Sequence, residues 1–215
     1  MSADKSYVHA LRFQKLNWLY DSIVRLTTRE RTVKARITNA LSGQTGRLLD
    51  LACGSGTLAI LIKQDYPHLT VQGLDGDLDM LGRAERKAAD ADIDISFKQG
   101  LADALPYADS SFDVVVSSLF FHHLSRADKH SVFREIKRVL IPSGVLLLAD
   151  WGRPQNILMR VMFFPVRLLD GIGNTRDNIQ GKLPTLISEA GFTRVKEIGD
   201  IATPLGTISV IRAHA

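Results

Sequence analysis

The feature that most constrains this chain is the run Leu48-Leu49-Asp50-Leu51-Ala52-Cys53-Gly54-Ser55-Gly56-Thr57. A short apolar strand carrying an acid passes through a glycine-rich turn directly into a helix. Glycines let backbone approach a ligand closely, and the free N–H groups of a helix start favour negative charge. Asp75 then stands at the tip of the next apolar run, about 20 residues on, where a carboxylate accepts hydrogen bonds from both ribose hydroxyls. Together these features predict an adenosine-containing ligand at the carboxyl ends of parallel strands.

The rest of the chain keeps the same rhythm. From Gly46 onward, short β-branched or leucine-rich runs alternate with helical patterns, the signature of parallel βαβ units. Strands are expected at Arg47 to Leu51, Thr70 to Asp75, Ile95 to Gln99, Phe112 to Ser117 and Gly144 to Asp150. Helices are expected at Gly56 to Gln64, Leu78 to Ala89 and Asp128 to Leu140. After Asp150 comes an apolar helix-like insert, Asn156 to Leu169, then a helix from Leu183 to Ala190 that Gly191 stops. Thr193 to Ile198 and Thr207 to Arg212 are too close for a crossover helix and must be antiparallel neighbours. The expected fold is α/β: a Rossmann-like three-layer sandwich with a mostly parallel seven-stranded sheet, an antiparallel last strand and N-terminal helices. One domain is expected, divided into a helical cap over residues 1–45, a cofactor-binding core over 46–150, a substrate-side insert over 151–182 and a C-terminal helix and strand pair over 183–215.

Composition narrows the setting. A length of 215 residues suits one α/β domain with a modest extension. The single cysteine, Cys53, excludes an internal disulfide and a cysteine-based zinc site. The first residues are too polar for a secretion signal, and Arg160, Pro165 and Arg167 interrupt the most apolar segment, so no bilayer span is expected. A cytoplasmic protein is the expectation. Net charge is only +4, and the basic bias of residues 1–40 lacks a recognisable nucleic-acid module, so no nucleic-acid partner is expected.

Gly54 to Ala59 also fits the GxGxxG/A pattern of dinucleotide dehydrogenases, which alone is weak evidence. Three features favour a different ligand. Asp50 would repel a pyrophosphate but suits a cationic amino acid moiety. The stretch Leu105-Pro106-Tyr107-x-Asp109-x-Ser111-Phe112-Asp113 leads into the fourth strand, and the chain ends in a reversed strand pair. With DLACGSGTLA, GLDGDLDML, LPYADSSFDVV, FFHHL and RVLIPSG in order and spacing, the chain resembles the class I S-adenosylmethionine-dependent methyltransferases. Within them it is most similar to the small-molecule group that includes the ubiquinone/menaquinone-biosynthesis C-methyltransferases.

The resemblance implies S-adenosylmethionine as cofactor, S-adenosylhomocysteine as product and a small-molecule acceptor. It places Asp50, Ala52, Gly54 and Gly56 around the methionine portion, Asp75 on the ribose, and Gly76 and Met80 against the adenine. Leu101 stands where the family usually has an acid, leaving Asp103 or the Ala102 backbone amide to read the adenine. Ser117 would meet the methionine end through its backbone. Ala52 and Ser143 replace common family glycines, and Tyr20 falls in a Tyr-Asp pair that the family places near the cofactor as part of a lid.

A sulfonium is already a good methyl donor, so the protein's task is alignment and exclusion of water, with a base where the acceptor is a hydroxyl or carbon acid. His122 and His123, just after the fourth strand, are the candidates, as base or as structural residues. No further ligands accompany them in sequence, so no metal site is expected. The insert, apolar nearly all round, is core, the wall of a lipophilic pocket, a membrane-surface contact or a dimer interface; monomer and homodimer both remain open. The rival readings are an NAD-dependent oxidoreductase and a non-catalytic partner protein that has kept the cofactor pocket.

Overall fold

A computed structural model describes residues 29–215. The first described helix, α1 (Glu30–Asn39), precedes five strands and the three helices between them: β1 (Arg47–Leu51), α2 (Thr57–Asp65), β2 (Thr70–Asp75), α3 (Leu78–Asp90), β3 (Ser96–Gln99), β4 (Phe112–Ser118), α4 (Arg126–Val139) and β5 (Leu140–Trp151). Short helices α5 (Ile157–Met162), α6 (Phe164–Asp170), α7 (Arg176–Ile179) and α8 (Leu183–Glu189) follow, then β6 (Thr193–Thr203) and β7 (Gly206–His214). The strands form one sheet in the order β3-β2-β1-β4-β5-β7-β6. β1 to β5 are parallel, and β7 runs antiparallel between β5 and β6. The expected sheet and its reversed end are the observed ones; most of the expected N-terminal helical cap lies outside the described residues.

Strand alternation builds the two faces. Leu48, Val71, Val114, Val116, Val145 and Leu147 join α1 and α2 in one apolar layer. Their neighbours Leu49, Leu51, Val115, Leu146 and Leu148 pack with α4 and α8 in the other. A period of two puts successive side chains on opposite faces, and covering both makes such strands apolar throughout. α1 is tied down by Arg36, whose Nη2 donates to Ile198 O at 2.7 Å across the β6 edge. Polar caps start the helices: Asp77 accepts from the Asp79 and Met80 amides at α3, and Ser125 accepts from Asp128 at α4.

Three details depart from the expected elements. β5 begins at Leu140 rather than Gly144, because Leu140 pairs with Phe112 before a register shift resumes the ladder at Val145. A one-turn 3₁₀ helix, Phe121–His123, follows β4. The insert is two helices broken at Phe163, because Pro165 has no amide to donate and is accommodated in the first turn of a new helix. Arg160 and Arg167 therefore do not share one continuous helix. Of the insert's apolar residues only Phe163 and Val166 are buried; Ile157, Leu158, Val161, Phe164, Leu168 and Leu169 are exposed. Among the described residues no helix is long and apolar enough to cross a membrane.

Candidate functional site

β1 lies between β2 and β4, so the loops leaving the carboxyl ends of these strands diverge at the point where strand order reverses. That is where open α/β sheets form a crevice. The loop after β1 adopts left-handed backbone at Ala52 (φ 57°), Gly54 (φ 52°) and Gly56 (φ 71°). Ala52 occupies a conformation that disfavours a Cβ by about 1–2 kcal/mol, which explains why glycine is the family's usual residue there.

The two glycines do different work. A Cβ on Gly54 would meet nothing within 4 Å, so this backbone borders open space. A Cβ on Gly56 would lie 2.7 Å from Ala84 Cβ and 2.9 Å from Phe97 Cζ. Gly56 is thus needed for α2 to pack beside α3, while Gly54 leaves room for a ligand.

The turn and the acid of β2 meet directly. Asp75 Oδ2 accepts from the Gly54 amide at 2.7 Å, and Oδ1 accepts from the Asp77 amide at 2.9 Å. Each oxygen keeps a second lone pair for a ligand hydroxyl. Burial raises the Asp75 pKa, against the lowering effect of these amides. Asp50 is buried on β1, and its Oδ2 has no hydrogen-bond partner. Burial pushes its pKa up to about 7, opposed by the charge of Lys34 and the Ala59 amide.

The remaining expected positions are at the same edge. Gly76 O accepts from Gln99 Nε2 at 3.2 Å, and Met80 sits half-buried in the first turn of α3. Leu101 is exposed in a turn closed by the Ala104 amide, with Ala102 half-buried beside it. Ser117 is fully buried, and its Oγ donates to Leu51 O at 3.0 Å. Its side chain ties β4 to β1, leaving only backbone for a ligand. Tyr20 lies outside the described residues.

His122 and His123 form the end of the 3₁₀ helix, and each has an acidic neighbour that sequence reasoning missed. The Asp150 carboxylate is buried at the end of β5 and accepts from the Phe120, Phe121 and His122 amides at 3.1, 2.6 and 3.3 Å. It also lies 2.8 Å from His122 Nδ1 and accepts from Asn178 Nδ2 at 3.2 Å. Burial opposes charge on both groups, but each favours the other's charged form. The Asp150 pKa is held down and that of His122 is held up. His123 is partly exposed, and burial with the adjacent His122 lowers its pKa. Asp170, at the end of α6, approaches both rings, 3.8 Å from His122 Nε2 and 3.4 Å from His123 Nδ1. An acid ending the apolar run Gly144 to Asp150 is a signal that could have marked Asp150. Nothing local marks Asp170, which only the fold of the insert brings there.

Comparison with known proteins agrees with this geometry. A family model described as a methyltransferase domain matches residues 48–144. An "uncharacterized methyltransferase sll0829" of Synechocystis is 32% identical over 206 residues, covering 92% of this chain and 92% of that protein. A demethylmenaquinone methyltransferase of Thermus thermophilus is 35% identical over 158 residues, covering 72% of this chain and 69% of that one. Among solved structures, the YcgJ protein of Bacillus subtilis is similar with a TM-score of 0.70 at 19% identity, over 86% of this chain and 98% of that one, a likeness of fold.

The crevice residues suit the family's cofactor. Asp75 has acceptor capacity for a ribose, Gly54 borders open space, and the orphaned oxygen of Asp50 awaits a donor or a cation. A pyrophosphate would find one buried carboxylate, Asp50, and one half-buried carboxylate, Asp75, there instead of a cradle. The chain accordingly belongs to the class I S-adenosylmethionine-dependent methyltransferases.

Proposed function

We propose that this methyltransferase acts on a small lipophilic or aromatic acceptor. The observation that carries the reading is the insert after β5, which leaves seven large apolar side chains, Met162 among them, uncovered next to the carboxyl ends of the strands. Beside it lies a cleft of about 480 Å³ lined by Arg153, Asn156, Ile157, Arg160 and Gln180, which offers hydrogen-bond donors next to apolar surface. Such a combination suits a ring bearing oxygen substituents on a greasy body. The similar Thermus protein named for demethylmenaquinone supports the same class.

The bound sulfonium supplies an electrophilic methyl group. The chain's own part is to hold it: Asp75 anchors the ribose, the Gly54 backbone lies against the methionine portion, and Asp50 presents its buried carboxylate to the cationic end. Labelled S-adenosylmethionine incubated with prenylated and unprenylated hydroquinones tests the acceptor class. Label should pass to the prenylated forms at least about 10-fold faster, the scale expected when several buried CH₂ groups contribute. Transfer only to polar amines or acids would overturn the reading.

A proton should leave when the cofactor binds. Asp50 is largely neutral below about pH 7. A nearby cation favours the carboxylate and lowers that pKa, so binding at about pH 6 releases part of a proton. Calorimetric enthalpies of S-adenosylmethionine binding should then vary with the ionisation enthalpy of the buffer. Asp50→Asn should abolish the variation, and an unchanged buffer dependence in that variant would rule out Asp50 as the source.

A further inference from the structure

We propose that His122, His123 and Asp170 form a binding site for a divalent first-row metal ion of the zinc class. One donor atom from each residue lies within 4.8 Å of the other two. The two histidine–carboxylate separations, 3.8 and 3.4 Å, are long for hydrogen bonds. Each is near the ~3.3 Å that separates donors around a tetrahedral ion with bonds of about 2.0–2.1 Å, and they end on different Asp170 oxygens, Oδ2 toward His122 and Oδ1 toward His123, so the carboxylate spans the site with both. The three side chains surround a point more than they satisfy one another.

Asp170 is almost fully buried, yet its Oδ2 has no hydrogen-bond partner. A buried carboxylate oxygen left alone costs free energy unless a proton or cation faces it. Facing it is His122 Nε2. A carboxylate only accepts, so the 2.8 Å contact to Asp150 requires the proton of His122 to sit on Nδ1. In the neutral ring Nε2 then turns a lone pair toward Asp170. Two acceptors aimed at each other describe a place for a cation.

Residues outside the donor set hold it in place. Metal-bound histidines characteristically donate their other ring N–H to a carboxylate, which fixes tautomer and orientation, and Asp150 does this for His122. Asn174 joins the two halves of the site: its Nδ2 donates to His123 O at 2.8 Å and to Asp170 O at 3.2 Å. Two imidazoles and one carboxylate select zinc-like ions over magnesium or calcium, which prefer all-oxygen sites. Three protein ligands, with His123 partly exposed, leave a fourth position open for water or the oxygen of an acceptor.

The test is metal binding itself, independent of methyl transfer. Untagged chain stripped with a chelator is titrated with Zn²⁺ by calorimetry and with Co²⁺ by visible absorption. The expected result is one ion per chain and a d–d spectrum of low coordination number. His123→Ala and Asp170→Asn should each weaken Zn²⁺ binding by about 100-fold or more, and Asp150→Asn by about 10-fold. His130→Ala, outside the donor set and paired with Glu189, should change nothing. S-adenosylhomocysteine binding by each variant shows that it is folded. Failure of the native chain to bind Zn²⁺ while it binds S-adenosylhomocysteine would overturn the proposal and assign the cluster to an imidazolium held between two aspartates. Equal binding by the native chain and the Asp170→Asn variant would place the ion elsewhere and overturn it too.

Discussion

Asp75→Ala should lower the affinity for S-adenosylhomocysteine by at least about 100-fold in calorimetry. A hydrogen bond to a charged group contributes ~1.5–3 kcal/mol, so losing two on a ribose amounts to at least ~3 kcal/mol, or two powers of ten. The same carboxylate holds the Gly54 and Asp77 amides at 2.7 and 2.9 Å, so the substitution also frees the turn that faces the ligand. Asp75→Asn keeps one acceptor oxygen and should lose less. Affinity within a factor of a few of the native value would show that the ribose is read elsewhere.

The largest effect on stability is expected from Asp150→Ala. Its side chain accepts from the Phe120, Phe121 and Trp151 amides, faces His122 Nδ1 and receives Asn178 Nδ2, all buried but the half-buried Phe120 bond. Truncation strands these donors at once and leaves His122 without its partner. Breaking a buried pair of this kind costs about 3–5 kcal/mol. Urea unfolding should show a lower midpoint with an unchanged slope, which separates loss of stability from a change in the surface exposed. A loss below about 1 kcal/mol would mean that the Asp150 network adds little to the fold.

These two aspartates differ in how visible they are. Asp75 announces itself because its neighbourhood is local: an apolar strand, an acid at its tip, and a glycine turn one βα unit upstream. Ser117 and Gly54 are legible for the same reason. Gly56 illustrates the limit, since its position in the motif marks it as special but not why. Only packing shows that Ala84 and Phe97 occupy the space a side chain would need. The insert reads from sequence as helix-like, with its course past Pro165 open, and the structure divides it there into two helices. Its outward-facing leucines and isoleucines could not be told from core residues, because an apolar run that long has no polar face to report direction.

Sequence by itself determined the sheet, its parallel core, its reversed end and the crevice at the strand tips where the cofactor is proposed to bind. All of these rest on short-range patterns: strand alternation, turn chemistry and the distance between consecutive strand tips. Tertiary structure alone decided that Asp150 would hold His122 and that Asp170 would face both histidines. The first contact follows from the pairing of β4 with β5, which sets the two strand tips side by side; the second depends on how a broken helix folds back over the sheet, and no local periodicity encodes that path.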